Sequence, residues 1–490
     1  MEFTELADYP VAAGTLTEWI PTAPVTGGHG GSERGHGSVD PAPSNPWFED
    51  PRATSFIQEG RLRDAGMRSG PGRESWLGTA FEIAGRLDTA AFARAVDTWI
   101  DRHEGLRSHA TIPPPHIPVH GGALRRRTVA PGRVRVSARK HGYRTSGAQN
   151  FEHLHALFDG CTSPASWPAF AFATIEPPDR DRAFTVYFAA DHAIVDGFSV
   201  VLVGQEIESL YRRELGDAEA DLFPVGSYLD FGARERSATG ELDADHPAVA
   251  LWRGVLDLGG GRLPEFPLDL GDFPDRPLPQ RGLSAWVLDP AGADMFAVAC
   301  RKIGHGFFAG TLACLAVAGA ELAGAERFEA VTPMSTRADA GWSGSIGWFV
   351  GISPVGFRVR GAGSFAELVR RAAVQVAAAK PASRVPYEWV CEVLGTTARP
   401  RFVVSYMDVR FVPAATEWAD RNTRALRSKQ YEDDVYVWVN RTPQGVNIAA
   451  RYPATDTATA AVHRYIGRLR SLMEEVVGTG TCAVSERVTQ

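Results

Sequence analysis

Two side chains that could do acid–base chemistry, His192 and Asp196, stand four residues apart, with Asp191 directly before the pair and Gly197 directly after it. An imidazole has an ordinary pKa near 6.5, so a neutral His192 can accept a proton at pH 7 and is a candidate general base. The same spacing also fits a buried histidine that a nearby carboxylate satisfies, which is the more frequent role of such a pair. The motif alone leaves both alternatives open.

The segments on either side of this motif predict how it is positioned. Residues 184–190 form an apolar run typical of a buried strand, and residues 198–215 have the amphipathic pattern of a helix. A strand, a tight loop and a helix would deliver His192 into an interior crevice. Because neighbouring strand side chains point to opposite faces, Asp191 is expected to face away from His192.

The overall composition is that of an ordinary globular protein with room for two domains. The chain has 490 residues, 44% of them hydrophobic and 22% charged, and a formal net charge of -7. Nucleic-acid surfaces need a clustered excess of Lys and Arg, so this balance argues against nucleic acid as a partner. The apolar stretch 307–322 carries glycines and Glu321 and is predicted to be a core helix rather than a membrane span.

The cysteines, the histidines and the first residues indicate a cytoplasmic protein without a metal. The N-terminus is acidic, where a signal peptide would be basic and then apolar. His29 and His36 are flanked by glycine and lack a Cys or carboxylate partner, so no metal site is predicted there. The five cysteines form no CxxC pair and are expected to be free thiols: Cys161, Cys300, Cys314, Cys391 and Cys482.

The chain divides into four predicted regions. Residues 1–24 contain a short strand segment, and residues 25–46 form a Gly- and Pro-rich linker or loop. An N-terminal lobe covers residues 47–235 and carries the His192 loop. A polar stretch rich in Pro, Gly and Asp then leads into a C-terminal lobe, residues 236–490, in which helices and strands alternate.

Six short motifs occur in an order that identifies a family. In sequence order they are 55–58 (SFIQ), 102–108 (RHEGLRS), 191–197 (DHAIVDG), 228–232 (YLDFG), 346–351 (IGWFVG) and 385–388 (VPYE). This series resembles that of the condensation-domain superfamily, which is chloramphenicol acetyltransferase-like. Residues 16–19 (LTEW), 347–350 (GWFV) running into Pro354, and 404–408 (VSYMD) look most like the polyketide-associated acyltransferases of that superfamily.

The resemblance implies a fold and a reaction. The fold would be α/β (α+β), with two chloramphenicol acetyltransferase-like lobes in a V-shaped pseudo-dimer around a central tunnel. The enzyme would move an acyl group from a phosphopantetheine thioester, on an acyl carrier protein or CoA, to a hydroxyl of a sugar, lipid or natural-product acceptor. It would hold no bound cofactor and act as a monomer.

The resemblance also assigns roles to residues of the motif. His192 would be the general base, and Asp196 would pair with Arg337 from the second lobe in a structural role. Gly197 is a candidate oxyanion donor, because its backbone N–H lies at a predicted helix N-terminus. Ser199, Trp348 and Tyr406 are expected to line the substrate tunnel.

Two departures from the family pattern keep other functions open. Asp191 stands where peptide-forming members have a first histidine, and Gly351 replaces an asparagine. The base is the second histidine, so acyl transfer is still expected, whereas peptide-bond formation is in doubt. The alternatives are a stand-alone peptide condensation enzyme that forms an amide, and an inactive docking module for carrier proteins.

Overall fold

The computed structural model of the protein describes residues 1–23, 46–67, 75–112, 124–179, 182–217, 222–272 and 278–484. Within these residues the chain forms two lobes, each built on one large β-sheet with packed helices. This architecture confirms the mixed α and β class. The predicted linker, residues 25–46, lies outside the described residues except for Pro46, as do His29 and His36.

The sheet of the N-terminal lobe has seven strands and is centred on the strand that leads to His192. In spatial order the strands are β1 (Glu2–Glu5), β14 (Arg424–Arg427), β4 (Trp76–Ala84), β9 (Ala183–Asp191), β8 (Phe170–Glu176), β2 (Gly14–Thr22) and β7 (Arg135–Arg144). Strand β9 pairs antiparallel with β4 and β8 and is buried on both faces from residue 184 to 191. Burial on both faces explains its continuous apolar sequence.

Helices cover both faces of this sheet. Phe92, Val96 and Trp99 pack on one face with Val200 and Val203, whereas the other face is covered by a different helix. The helices of the lobe are α1 (Phe56–Met67), α2 (Thr89–Arg102), α3 (Gly147–Cys161), α4 (Gly197–Glu214) and α5 (Tyr228–Gly240). A smaller sheet beside them contains β3 (Trp47–Asp50), β6 (Arg125–Val129) and β5 (Ser108–Thr111).

The C-terminal lobe contains a six-stranded sheet. In spatial order its strands are β10 (Gln280–Leu288), β16 (Gly445–Pro453), β15 (Val435–Thr442), β13 (Phe402–Asp408), β11 (Arg327–Ser335) and β12 (Val350–Arg358). Its helices are α6 (Pro247–Leu258), α7 (Pro290–Lys302), α8 (Phe307–Ala323), α9 (Phe365–Ala382), α10 (Tyr387–Leu394) and α11 (Asp456–Thr479). Helix α8 is buried from residue 309 to 320, as its apolar composition predicts.

One strand crosses between the lobes and corrects the predicted division of the chain. Strand β14 follows β13 of the C-terminal lobe in sequence, yet it pairs parallel with β1 and antiparallel with β4. Ala425 accordingly packs in the core of the N-terminal lobe. The boundary at residue 235 therefore does not hold for this strand. The segment predicted at residues 1–24 is also part of the N-terminal lobe, because β1 and β2 belong to its sheet.

The local elements agree with the sequence periodicity where that periodicity is strong. Helix α2 begins after Asp88, whose carboxylate accepts a hydrogen bond from the Ala91 N–H at 2.8 Å, and its apolar residues, which recur at helical spacing, form one buried face. Helices α3 and α9 were not predicted, although α9 buries Phe365, Leu368 and Ala372 at helical spacing. Within the described residues, no single helix is long and apolar enough to cross a membrane. Helices α7 and α8 have that length and composition only when they are taken as one segment, and the chain bends by 93° between them.

Candidate active site

The candidate site is built on the junction between β9 and α4. The strand ends at Asp191, and the Ile194 N–H donates to the Asp191 carbonyl at 3.0 Å, which closes a tight loop. Asp196 is the N-cap of α4 and accepts a hydrogen bond from the Ser199 N–H at 2.7 Å. The loop between these two anchored ends has little freedom, so it fixes the direction of the His192 side chain.

His192 is held by its backbone, one ring nitrogen and one face of the ring. Its N–H donates to the Ser75 carbonyl at 2.8 Å, and the imidazole stacks on Trp348 with ring centroids 3.8 Å apart. Nδ1 lies 2.8 Å from the Val195 carbonyl oxygen, which can only accept, so Nδ1 carries the proton. The lone pair is therefore on Nε2, the nitrogen that a proton acceptor would use.

Burial controls the protonation of His192. Desolvation by the surrounding protein lowers the pKa of His192 to about 4, and the Val195 carbonyl and the Asp196 charge offset only part of this effect. The ring is consequently neutral across the physiological pH range.

Asp196 is fully engaged in structural contacts. Arg337 Nη2 donates to both of its carboxylate oxygens, at 2.7 and 2.9 Å. The Phe349 N–H donates to Oδ2 at 3.0 Å, and the Ser199 hydroxyl lies 2.7 Å from Oδ1. Both members of the ion pair are almost completely buried. The pair therefore ties α4 of the N-terminal lobe to the C-terminal lobe.

Ser199 belongs to this network rather than to the substrate cavity, which corrects the expectation from the sequence. Its side chain is fully buried, and its oxygen accepts a hydrogen bond from the Gly347 N–H at 3.1 Å. Arg337 adds a bond from Nη1 to the Ser345 carbonyl at 2.8 Å. These contacts fix the segment that carries Trp348 against the His192 ring.

Asp191 lies in a separate buried ion pair that the sequence did not reveal. Its carboxylate accepts hydrogen bonds from the Ala193 N–H and from Arg61 Nη2, each at 2.8 Å. Asp191 is completely buried, and this burial raises its pKa to about 6 although Arg61 opposes the effect. Arg61 comes from α1 and also lines the cavity described next.

A cavity of about 1190 Å³ lies between the lobes and contains the exposed part of His192. It exceeds the range of roughly 300–1,000 Å³ typical of single small-molecule sites, so it has room for two substrates. Trp348 and Tyr406 both line it, and Tyr406 stacks on Phe308 with centroids 5.2 Å apart. The Met407 side chain, to which the sequence assigned no role of its own, faces Gly197.

The cavity extends along β13 and beyond both ends of that strand. Arg401, just before β13, forms an ion pair with Asp433 at 2.8 Å, and both line the cavity. Phe411 and Val412 line it beyond the other end of β13. A seven-residue strand spans roughly 20 Å, so these two parts of the cavity are separated by about that distance. Asp408, at the same end as Phe411, also lines the cavity and pairs with Arg410 at 2.8 Å.

Gly197 is the first residue of α4 and also lines the cavity. A Cβ at this position would lie 3.5 Å from Met407 Cε, which is an ordinary contact distance. Packing alone therefore does not require glycine here. Its backbone N–H lies in the first turn of the helix, where the helix dipole favours negative charge.

Comparisons with known proteins agree with the family that the motifs indicate. The condensation-domain family model matches residues 172–487. The chain is 26% identical to the acyltransferase PapA3 of Mycobacterium tuberculosis, over 96% of this chain and 98% of the relative. It is 28% identical to the 2'-acyl-2-O-sulfo-trehalose (hydroxy)phthioceranyltransferase PapA1 of Mycobacterium bovis, over 100% and 90%.

The fold is shared with a solved structure of the same group. A PapA2 acyl transferase aligns over 97% of this chain and 100% of its own length, with a TM-score of 0.81 and 24% identity. The family model alone covers more than half of the chain. The chain therefore belongs to the condensation-domain family, and its full-length relatives place it among the polyketide-associated acyltransferases.

Proposed function

We propose that this acyltransferase uses His192 as a general base to move an acyl group from a phosphopantetheine thioester to a hydroxyl group. The observation that supports this most directly is the hydrogen bond from His192 Nδ1 to the Val195 carbonyl. It leaves the lone pair on Nε2 of a neutral ring in a cavity that both lobes line.

In the proposed reaction, the acceptor hydroxyl oxygen attacks the thioester carbonyl carbon while its proton passes to His192 Nε2. The C–S bond then breaks, and the imidazolium returns the proton to the leaving thiolate. Proton transfer of this kind contributes about 100- to 10,000-fold to the rate. We assign the Gly197 N–H as a donor to the oxyanion that forms on the carbonyl.

The low pKa of His192 suits this two-step role. A base with a pKa of about 4 is weak, but its conjugate acid is a strong donor that protonates the leaving thiolate readily. The weakness of the base is compensated if the cavity holds the acceptor in line with the thioester, because positioning alone can supply a larger rate factor. Asp196 has no free role in this scheme, because its oxygens are already engaged.

The cavity and the relatives support a large donor and a hydroxylated acceptor. The PapA1 relative is named for acyl transfer to a sulfated trehalose, and we extend a sugar or lipid alcohol acceptor to this chain. Carrier-bound and CoA-bound acyl groups share the same phosphopantetheine thioester, and we propose that one of these is the donor. We expect the protein to work as a monomer, because one chain supplies both lobes of the cavity.

Intact-mass analysis of products tests the proposal directly. The protein would be incubated with acyl-CoA or acyl carrier protein and with matched alcohol and amine versions of one acceptor. We expect the ester with the alcohol; a product formed only with the amine would instead support the alternative amide-forming enzyme.

The matched variants are His192→Ala and His305→Ala, the second altering a half-buried histidine that does not line the cavity. His192→Ala should lose at least about 100-fold in kcat/KM and keep its folded spectrum, whereas His305→Ala should retain activity. Activity of the His192 variant within a few-fold of the parent would rule out the general-base role.

A further inference from the structure

A second cluster of chemically active side chains lies on the outer side of the N-terminal lobe, away from the interlobe cavity. Glu18 comes from β2, His141 from β7 and His153 from α3, and none of them lines the cavity. Strand β7 is three strands away from β9 in the sheet, or roughly 14 Å at the usual strand spacing. The cluster is therefore separate from the acyl-transfer site.

The three side chains converge on one point. Glu18 Oε1 lies 2.6 Å from His153 Nε2 and 3.0 Å from His141 Nε2. One ligand atom from each residue lies within 4.8 Å of the other two, and the two imidazole centroids are 4.4 Å apart. Glu18 is almost buried, and both histidines are half-buried.

The hydrogen bonds within this cluster leave one buried ring nitrogen without a partner. His141 Nε2 is close to Glu18 but is not aligned to donate to it, and it is buried without a hydrogen-bond partner among the described residues. Buried ring nitrogens normally have a partner, so this atom indicates a ligand that the protein side chains do not supply.

We propose that Glu18, His141 and His153 form a binding site for a divalent transition-metal ion such as Zn²⁺. Zinc prefers imidazole nitrogen and carboxylate oxygen at about 2.0–2.2 Å in tetrahedral geometry. Two such ligand atoms are roughly 3.3 Å apart, which is slightly longer than the observed 2.6 and 3.0 Å from Glu18 Oε1 to the two imidazole nitrogens. Small side-chain movements would create the site, and water would occupy the fourth position.

Two arginines contact the proposed metal ligands and would compete with the metal for them. Arg139 Nη1 lies 3.3 Å from Glu18 Oε2, and Arg144 Nη2 donates to His153 Nδ1 at 2.8 Å. The Arg144 contact places the His153 proton on Nε2, the nitrogen that the metal would need. Metal binding therefore requires that proton to move to Nδ1 and Arg144 to keep only its bond to the Gln149 carbonyl at 2.6 Å. Arg144 and the metal compete for His153.

Zinc titration of the full-length protein in the presence of a chromogenic chelator tests the site. We expect one zinc ion per chain and an increase in Tm on addition of ZnCl₂ to the parent. His153→Ala and His141→Ala should each weaken zinc binding by more than the roughly 10- to 100-fold that loss of an outer-shell partner costs. Each variant is first shown to melt cooperatively without zinc.

His155→Ala is the matched control, because His155 lies on the same helix but is exposed and pairs with Asp159. It should bind zinc as the parent does, and Arg144→Ala should bind zinc more tightly than the parent. The proposal is overturned if the parent binds no zinc at one equivalent. It is also overturned if His155→Ala weakens binding as much as His153→Ala.

Discussion

Replacement of Asp191 by asparagine should change the pH dependence of stability by a predictable amount. Burial raises the pKa of Asp191 in the folded protein from its ordinary value of 3.8 to about 6. The folded state thus binds this proton more tightly than the unfolded state, so the Asp191 contribution to stability decreases as pH rises from about 4 to about 6. Each unit of pKa is worth about 1.4 kcal/mol, which gives about 3 kcal/mol over this range.

Asparagine removes this titration while its side-chain oxygen can still accept from the Ala193 N–H. The variant also leaves Arg61 without its charged partner, and because asparagine does not titrate, its side chain contributes no pH dependence of its own. The informative quantity is therefore the difference between parent and variant as pH changes. Between pH 3.5 and 7, the parent should lose about 3 kcal/mol more than Asp191→Asn.

Urea unfolding followed by tryptophan fluorescence at a series of pH values measures this difference. Glu235→Gln is a useful comparison, because burial raises the pKa of Glu235 to about 7 and its difference curve should extend to higher pH. Parallel pH profiles for the parent and Asp191→Asn would refute the reasoning, since they would mean that the carboxylate titrates equally in both states.

Further predictions concern the junction between β9 and α4 and the residues that contact it. As pH is lowered, kcat/KM should fall near pH 4 rather than near pH 6.5, because His192 is neutral above its lowered pKa and becomes protonated as pH falls through it. A decrease in kcat/KM near pH 6.5 would contradict the burial of His192. Arg337→Ala and Asp196→Asn should each lose about 3–5 kcal/mol in unfolding experiments, since the remaining partner stays buried without its ion pair; parent-like melting with lost activity would instead make Asp196 catalytic. Gly197→Pro removes the backbone N–H at the first position of α4, where proline is tolerated, so it should melt like the parent but reduce kcat if this N–H contacts the oxyanion; parent-like kinetics would remove that role. Trp348→Ala should lower kcat more than it raises KM, because the His192 ring loses the surface on which it stacks; unchanged kcat would show that the Val195 hydrogen bond is sufficient.

The sequence was most informative where the chemistry is encoded locally. The strand, loop and helix around His192 follow from residues 184–215, because period, apolar content and a capping Asp196 lie within one short segment. The family resemblance supplied the more distant partner Arg337. These features needed no knowledge of tertiary contacts beyond the family pattern.

The contacts that sequence reasoning missed are those that depend on tertiary packing. Arg61 lies 130 positions before Asp191, and no local pattern marks it as the buried partner. Ser199 was placed in the tunnel, but the helix start turns its hydroxyl into the Asp196 network. The Glu18 cluster brings together residues from two strands and a helix. Its two histidines, His141 and His153, do not have the spacing of a recognisable metal-binding motif.

The crossing strand β14 has a consequence for how the protein is made. The sheet of the N-terminal lobe is completed by residues 424–427, which leave the ribosome after most of both lobes has been synthesised. Until then the hydrogen-bonding edge of β4 is unpaired, and exposed edges of this kind promote aggregation. The two lobes are therefore expected to mature together, and a fragment that ends at residue 235 should not yield a stable isolated lobe.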